Sequence, residues 1–266
     1  MRLDRRSRAL LFAAPVTIKD AVRAIAALLI CALGLAAQAP VHLEYLCPPE
    51  DIESFGLTCS PEDPCPVFLE LAGVEAVGSR LFLTGNLHTA STTLFGILEM
   101  SDDGGQTWTE PVPRQRFTAL DQIQFIDFAH GWISGQRNEP LPRDPFMMLT
   151  EDGGKTWRNR PLFDDEKFGS ISQFWFDSRS TGELVFDRSQ GTTIRQELYG
   201  TMTGGENWEI KETSNRALRL SRARPRDSAA WRVRVDAPTK TYRVERRSES
   251  KWESVASFVV QVASCQ

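Results

Sequence analysis

The chain has only three histidines and three tyrosines among 266 residues, and that scarcity narrows the chemistry open to it. His42, His88 and His130 lie far apart in the sequence, so no histidine metal site is implied, and His130 falls in a turn where packing is the simpler role. There is no G-x-S-x-G, no P-loop and no H-E-x-x-H. Their lack removes the signatures of an α/β-hydrolase nucleophile, a phosphate-cradling loop and a zinc-protease helix. On these grounds no cofactor and no metal are expected. The N-terminal apolar run, Ala24–Ala37, has 14 residues, short of the roughly 20 a helix needs to cross a bilayer. Beyond it no stretch shows a convincing helical apolar period, so helices are not expected to organise the fold.

That run is better explained as an export signal. A basic stretch (Arg2, Arg5, Arg6, Arg8, Lys19, Arg23) precedes it, and Ala37-Gln38-Ala39 closes it with the small–x–small pattern of a signal-peptidase site. Residues 1–39 are therefore read as a cleaved signal, and the mature chain is expected to be secreted or periplasmic. Membrane attachment would follow only if the signal were retained or Cys31 lipidated; Leu28-Leu29-Ile30-Cys31 resembles a lipoprotein box, with Ile30 where a small residue is expected. Of five cysteines, Cys31 leaves with the signal, and Cys47, Cys59, Cys65 and Cys265 remain. An even number in an exported chain reads as two disulfides. From position, Cys265 would pair with Cys65 or Cys47 and clamp the chain ends, and the other pair would staple the Pro- and Glu-rich segment 47–65.

What is present is a repeat. Ser101-Asp-Asp103-Gly-Gly105-Gln-Thr107-Trp108 returns as Thr150-Glu-Asp152-Gly-Gly154-Lys-Thr156-Trp157. It returns again, worn, as Thr201-Met-Thr203-Gly-Gly205-Glu-Asn207-Trp208, and Trp252 after Ser248-Glu-Ser-Lys marks a fourth trace. The tryptophans are 49, 51 and 44 residues apart. Before each lies a pair of apolar alternating stretches, best seen in Ile123–Gly135, and then a third such stretch: Thr93–Met100, Pro145–Leu149, Arg195–Gly200 and Lys240–Val244. Alternation with period two, bounded by Gly, Asp and Ser, is the signature of strands. Leu218–Leu220 is expected to open the last unit in the same way.

The box residues have structural work to do. Ser or Thr and Asp side chains accept hydrogen bonds from nearby backbone N–H groups and close a turn. The glycine pair allows backbone angles that a β-carbon penalises, and the Trp brings apolar surface to bury. Ser101, Asp103, Gly105, Trp108, Thr150, Asp152, Gly154, Trp157, Thr201, Gly205 and Trp208 are accordingly assigned to hairpin bracing, not to catalysis or calcium binding.

Units of this length with four strands are propeller blades. The expected fold is an all-β propeller of four-stranded antiparallel blades, spanning residues 66–266 after a Cys- and Pro-rich segment 40–65. Four blades are recognisable, at 66–113, 114–162, 163–212 and 213–257, with five or an incomplete ring left open. The boxes, with Gly131-Trp132-Ile-Ser-Gly135 about 25 residues before Trp157, resemble the BNR-repeat superfamily, which includes sialidases, sortilin-type receptor domains and photosystem II assembly factors. The rhythm is most similar to the assembly-factor-like domain of exported bacterial proteins. That resemblance implies the fold and says little of activity, because function is grafted onto a propeller's loops. A sialidase would need a Tyr–Glu pair and an arginine cluster. The family's F/Y-R-I-P motif is absent, Tyr45 lies in the N-terminal segment, and Tyr199 and Tyr242, on the strands feeding the third and fourth boxes, are read as packing residues.

Charge points elsewhere. The whole chain carries −4; without residues 1–39 it keeps 25 basic and 33 acidic residues, a net −8. Within it, residues 216–251 hold twelve basic and four acidic residues. Arg222, Arg224 and Arg226 alternate, as do Arg232 and Arg234, and in a strand such residues share a face. They form a candidate arginine stripe for carboxylates, sulfates or phosphates. The sequence is thus read as an exported, non-catalytic binding or scaffold propeller recognising a protein or an acidic glycan, not nucleic acid. The alternative is a glycan-active hydrolase using carboxylates in the propeller mouth, for which two carboxylates facing one pocket would speak.

Overall fold

The computed structural model describes residues 39–139, 141–220 and 230–266. The apolar N-terminal run, Cys31, and the arginines Arg222, Arg224 and Arg226 lie outside the described residues. Pro40–Gln266 forms a compact unit of its own.

The chain is a β-propeller built from four sheets laid down in sequence order. The first holds β1 (Cys65–Val77), β2 (Arg80–His88), β3 (Thr93–Ser101) and β4 (Gln115–Arg116); the second β5 (Thr118–Phe125), β6 (Gly131–Asn138), β7 (Pro142–Thr150) and β8 (Arg158–Pro161). The third comprises β9 (Ser170–Phe176), β10 (Gly182–Asp187), β11 (Gln196–Thr201) and β12 (Glu209–Ser214). The fourth has β13 (Trp231–Asp236), β14 (Thr241–Ser248) and β15 (Lys251–Val259). Every neighbouring pair within a sheet is antiparallel. Alternation orients each strand: Val67, Leu69 and Leu71 of β1 are buried, and Glu70 between the last two is exposed.

Three apolar clusters lie between successive sheets. One joins the fourth sheet to the first around Phe258, Val244, Leu83 and Ile97; one joins the first to the second around Phe82, Leu98 and Ile133; one joins the second to the third around Trp132, Phe176 and Phe186.

The repeated boxes do two things at once. Locally, Gly105 N donates to Ser101 Oγ at 2.8 Å, and Gln106 N and Thr107 N both donate to Asp103 Oδ1 at 2.9 Å. Thr150 and Asp152 repeat the pattern, and in the worn copy Thr203 Oγ1 replaces the carboxylate as acceptor for Asn207 N. Across sheets, the box is a socket. A β-carbon on Gly154, at φ +84°, would lie 2.5 Å from the Phe82 ring, and one on Gly105 2.6 Å from Val255. The glycines are required because the neighbouring sheet's side chain occupies their space.

The chain ends are exchanged. The C-terminal β16 (Gln261–Cys265) pairs with β1 of the first sheet. Val41, at the start of the compact unit, instead lies parallel to Phe258 of the last sheet, with Val41 N donating to Ser257 O at 2.7 Å and Val259 N to Val41 O at 2.9 Å. Disulfides join Cys47 to Cys265 and Cys59 to Cys65.

One sequence expectation needs correction. Leu218–Leu220 is not a strand: Leu218 N and Leu220 N donate to Gln196 Oε1 and Gln173 Oε1, so side chains of the third sheet take the place of a strand partner. At the closure the blades share strands: β16 gives the first sheet a fifth, and among the described residues the last has three plus the Val41 bridge. A short helix, α1 (Pro49–Ser54), also forms where none was expected, started by Pro49 with Glu50 and Asp51 in its first turn.

Candidate functional site

The described part of the arginine stripe lies on β13, and the strand register shows what it faces. Arg232 is opposite Glu245, and Arg234 opposite Arg243. Arg232 is committed internally: its guanidinium pairs with Glu245 at 2.6 Å and sits 4.0 Å over the centre of the Trp252 ring. Arg234 is exposed and has no ion-pair partner among the described residues. Arg243 is paired with Asp236. The face is thus basic but partly self-neutralised, with two arginines directly opposite each other, an arrangement that costs energy unless an anion relieves it.

A second site was not legible in the sequence. At the end of the first two sheets away from the boxes, a cleft of about 350 Å³ is lined by Glu70 of β1, Asn86 and His88 of β2, Asp121 of β5, and Gln136 and Asn138 of β6. Three register irregularities converge there: between Leu71 and Gly73, between Leu120 and Ile123, and between Gly135 and Arg137. Such bulges re-aim side chains. Burial, with the Glu70 carboxylate beside it, raises the Asp121 carboxyl above the ordinary range, and a hydrogen bond from Gln136 works against that shift. Glu70 also follows burial in raising the Tyr242 phenol. Gln136 is only 6% exposed and its Oε1 has no hydrogen-bond partner, as is true of Asn138 Oδ1. No group of three His, Cys, Asp or Glu among the described residues is arranged to hold a metal ion.

The tyrosines are held in place by packing. Tyr199 donates to Glu197 at 2.9 Å, and Arg188 pairs with that carboxylate, so a Tyr–Glu–Arg grouping does exist. The Tyr199 ring, however, is buried against Phe163, and burial together with the Glu197 bond pushes its hydroxyl up to about 12, the wrong direction for a nucleophile. Tyr45 donates to Asp51, which Arg116 also holds at 2.6 Å, fastening α1 to the first sheet. His130 caps its own turn through Asp127 at 2.9 Å, and Arg179 of the third sheet's hairpin reaches the same carboxylate.

No family model matches the chain. Over 166 residues it is 28% identical to the chloroplastic photosystem II stability/assembly factor of Arabidopsis thaliana, covering 59% of this chain and 35% of that protein. Over 69 residues it is 36% identical to an oligoxyloglucan-reducing end-specific xyloglucanase of Emericella nidulans, covering 25% of this chain and 8% of the enzyme. The chain therefore matches about a third of the length of the first relative and under a tenth of the second. Among solved structures, YCF48 bound to a D1 peptide aligns with a TM-score of 0.41 at 20% identity, over 71% of this chain and 57% of that one.

Proposed function

We propose that this is an exported protein-binding propeller that holds an acidic segment of its partner on the basic face of the last sheet. The observation that carries the reading is Arg234 directly opposite Arg243 on an exposed strand pair, beside an arginine already stacked on Trp252. Arg243 is already paired with Asp236, so an incoming carboxylate would accept paired N–H donors from Arg234, which has no ion-pair partner among the described residues. Two disulfides support export, since such bonds persist in oxidising compartments. The sequence likeness to a photosystem II stability/assembly factor supports a scaffold role over a catalytic one.

A direct test is binding of residues 40–266 to an acidic peptide, an acidic polysaccharide and neutral counterparts, at ionic strengths giving Debye lengths of about 10 and about 3 Å. The acidic peptide is expected to bind at low salt and to be lost at high salt and in the Arg234→Ser/Arg243→Ser variant. Binding unchanged by those substitutions would reject the basic face as the site.

A second reading has one observation in its favour. Glu70 and Asp121 line a single cleft, and the matched 69 residues belong to a xyloglucan-cleaving enzyme. A hydrolase would place one carboxyl as acid and the other as base or nucleophile. Release of reducing ends from xyloglucan, abolished by Glu70→Gln or Asp121→Asn, would favour it.

A further inference from the structure

The cleft at the end of the first two sheets gathers acceptors on one side, with the hydroxyls of Thr89, Ser91, Thr92 and Thr93 on the other. Glu70 and Asp121 contribute carboxylates, and Gln136 Oε1 and Asn138 Oδ1 are amide oxygens left without partners. The Asn138 amide is oriented by its nitrogen end, since Nδ2 donates to Thr93 Oγ1 at 3.2 Å, and Gln136 lies beside the Asp121 carboxyl. Asn86 holds Leu120 N through its Oδ1 at 2.9 Å and so fixes the start of β5 beside the cleft. Among the described residues no lysine or arginine lines the cleft.

A buried acceptor without a donor costs about 1–3 kcal/mol, and native structures seldom leave two together without a use. A partner that brings several N–H donors would satisfy both amide oxygens. A positive charge on it would suit Glu70 and the half-buried Asp121 carboxyl, which face the cleft with no lysine or arginine among the described lining residues. The acceptors come from three strands, β1, β5 and β6, around the cleft, instead of lying along one edge. Three diverging donors on one compact charge suit that layout better than the flat fork of a guanidinium.

We propose that this cleft, formed by Glu70, Asp121, Gln136 and Asn138, binds a primary ammonium group presented on a lysine side chain of a protein partner. The site is of opposite charge to the last-sheet face and distinct from it, so either can exist without the other.

The test uses residues 40–266 and three probes: a blocked glycine-rich pentapeptide with one central lysine, the same peptide acetylated on that lysine, and spermidine. Binding is followed by isothermal titration calorimetry and by amide shifts in NMR spectra. The lysine peptide is expected to bind, with acetylation weakening it at least tenfold. Gln136→Leu, Glu70→Gln and Asp121→Asn should each weaken it comparably with unchanged circular dichroism, while Arg234→Ser leaves it intact. Equal binding of the acetylated peptide, or indifference to all three cleft variants, overturns the site. Binding of spermidine alone overturns the protein-borne source. Hydrolysis of a glycan lost on Glu70→Gln would assign the cleft to catalysis and likewise overturn the proposal.

Discussion

The indole of Trp132 on β6 lies parallel to the ring of Phe176 on β9, their centres 3.8 Å apart, and its Nε1 donates to Gly204 O in the third box at 2.8 Å. Trp132 is one position beyond the residue paired with the first residue of its own sheet's box, Thr150, and in the first sheet that position is held by Phe82. Phe82 stacks on Phe125 and fills the socket at Gly154. In the third sheet the same position is Glu183, ion-paired to Lys211 at 2.9 Å. The aromatic plug that links each sheet to the next therefore stops at the third.

Removing the plug should weaken the joint between the second and third sheets. Trp132→Ala loses the stack, the Gly204 bond and a large buried volume, and is expected to cost about 3–5 kcal/mol. Trp132→Phe keeps the stack and should cost clearly less. Urea denaturation of both variants checks the order, and equal losses would argue against a specific role for the indole.

Two glycines with similar backbones but different surroundings isolate the socket. Gly104 has φ +74° with nothing near its would-be β-carbon, whereas Gly154, at φ +84°, faces Phe82. Gly104→Ala should cost about 1–2 kcal/mol from backbone strain alone. Gly154→Ala should add about 1–3 kcal/mol for displacing the ring. Thermal unfolding of the pair is the measurement, and equal losses would leave the box as a turn only.

Stability should fall with rising pH because of one carboxyl. Glu99 on β3 is 1% exposed with no partner for Oε1, and burial, then the nearby Glu110 carboxylate, pushes its pKa up to about 8 despite Arg114. Between its unfolded value and about 8 the folded protein holds a proton that the unfolded chain has lost, so stability declines across that window and levels off above it. Glu99→Gln keeps the shape of the neutral acid and is expected to flatten the slope. It should gain a few kcal/mol relative to wild type near pH 8, since each tenfold difference in proton affinity between the folded and unfolded chain is worth about 1.4 kcal/mol. Parallel pH profiles of the two proteins would contradict this.

The two disulfides should differ in value. Cys47–Cys265 closes 218 residues and Cys59–Cys65 only six. Chain entropy assigns the long loop about 5 kcal/mol and the short one about 2 kcal/mol. Cys47→Ser/Cys265→Ser is therefore expected to lower the melting temperature more than Cys59→Ser/Cys65→Ser, compared without reductant.

The sequence by itself determined the propeller and its boxes, because their chemistry is local. Asp103 reaches N–H groups three and four residues away, and a strand's alternation is written in adjacent side chains. The helix Pro49–Ser54 carried a start signal in Pro49, Glu50 and Asp51 but was too short to show a period. Only the tertiary structure decided the rest. Glu70, Asp121 and Gln136 meet because three separate strands slip register at one end, a long-range event without a local signature. Arg232 and Arg234 looked alike as alternating residues, yet one is opposite Glu245 and the other opposite Arg243. Val41 joins the last sheet, and β16 the first, for the same reason: strand partners are chosen by which unpaired edges the packed sheets bring together.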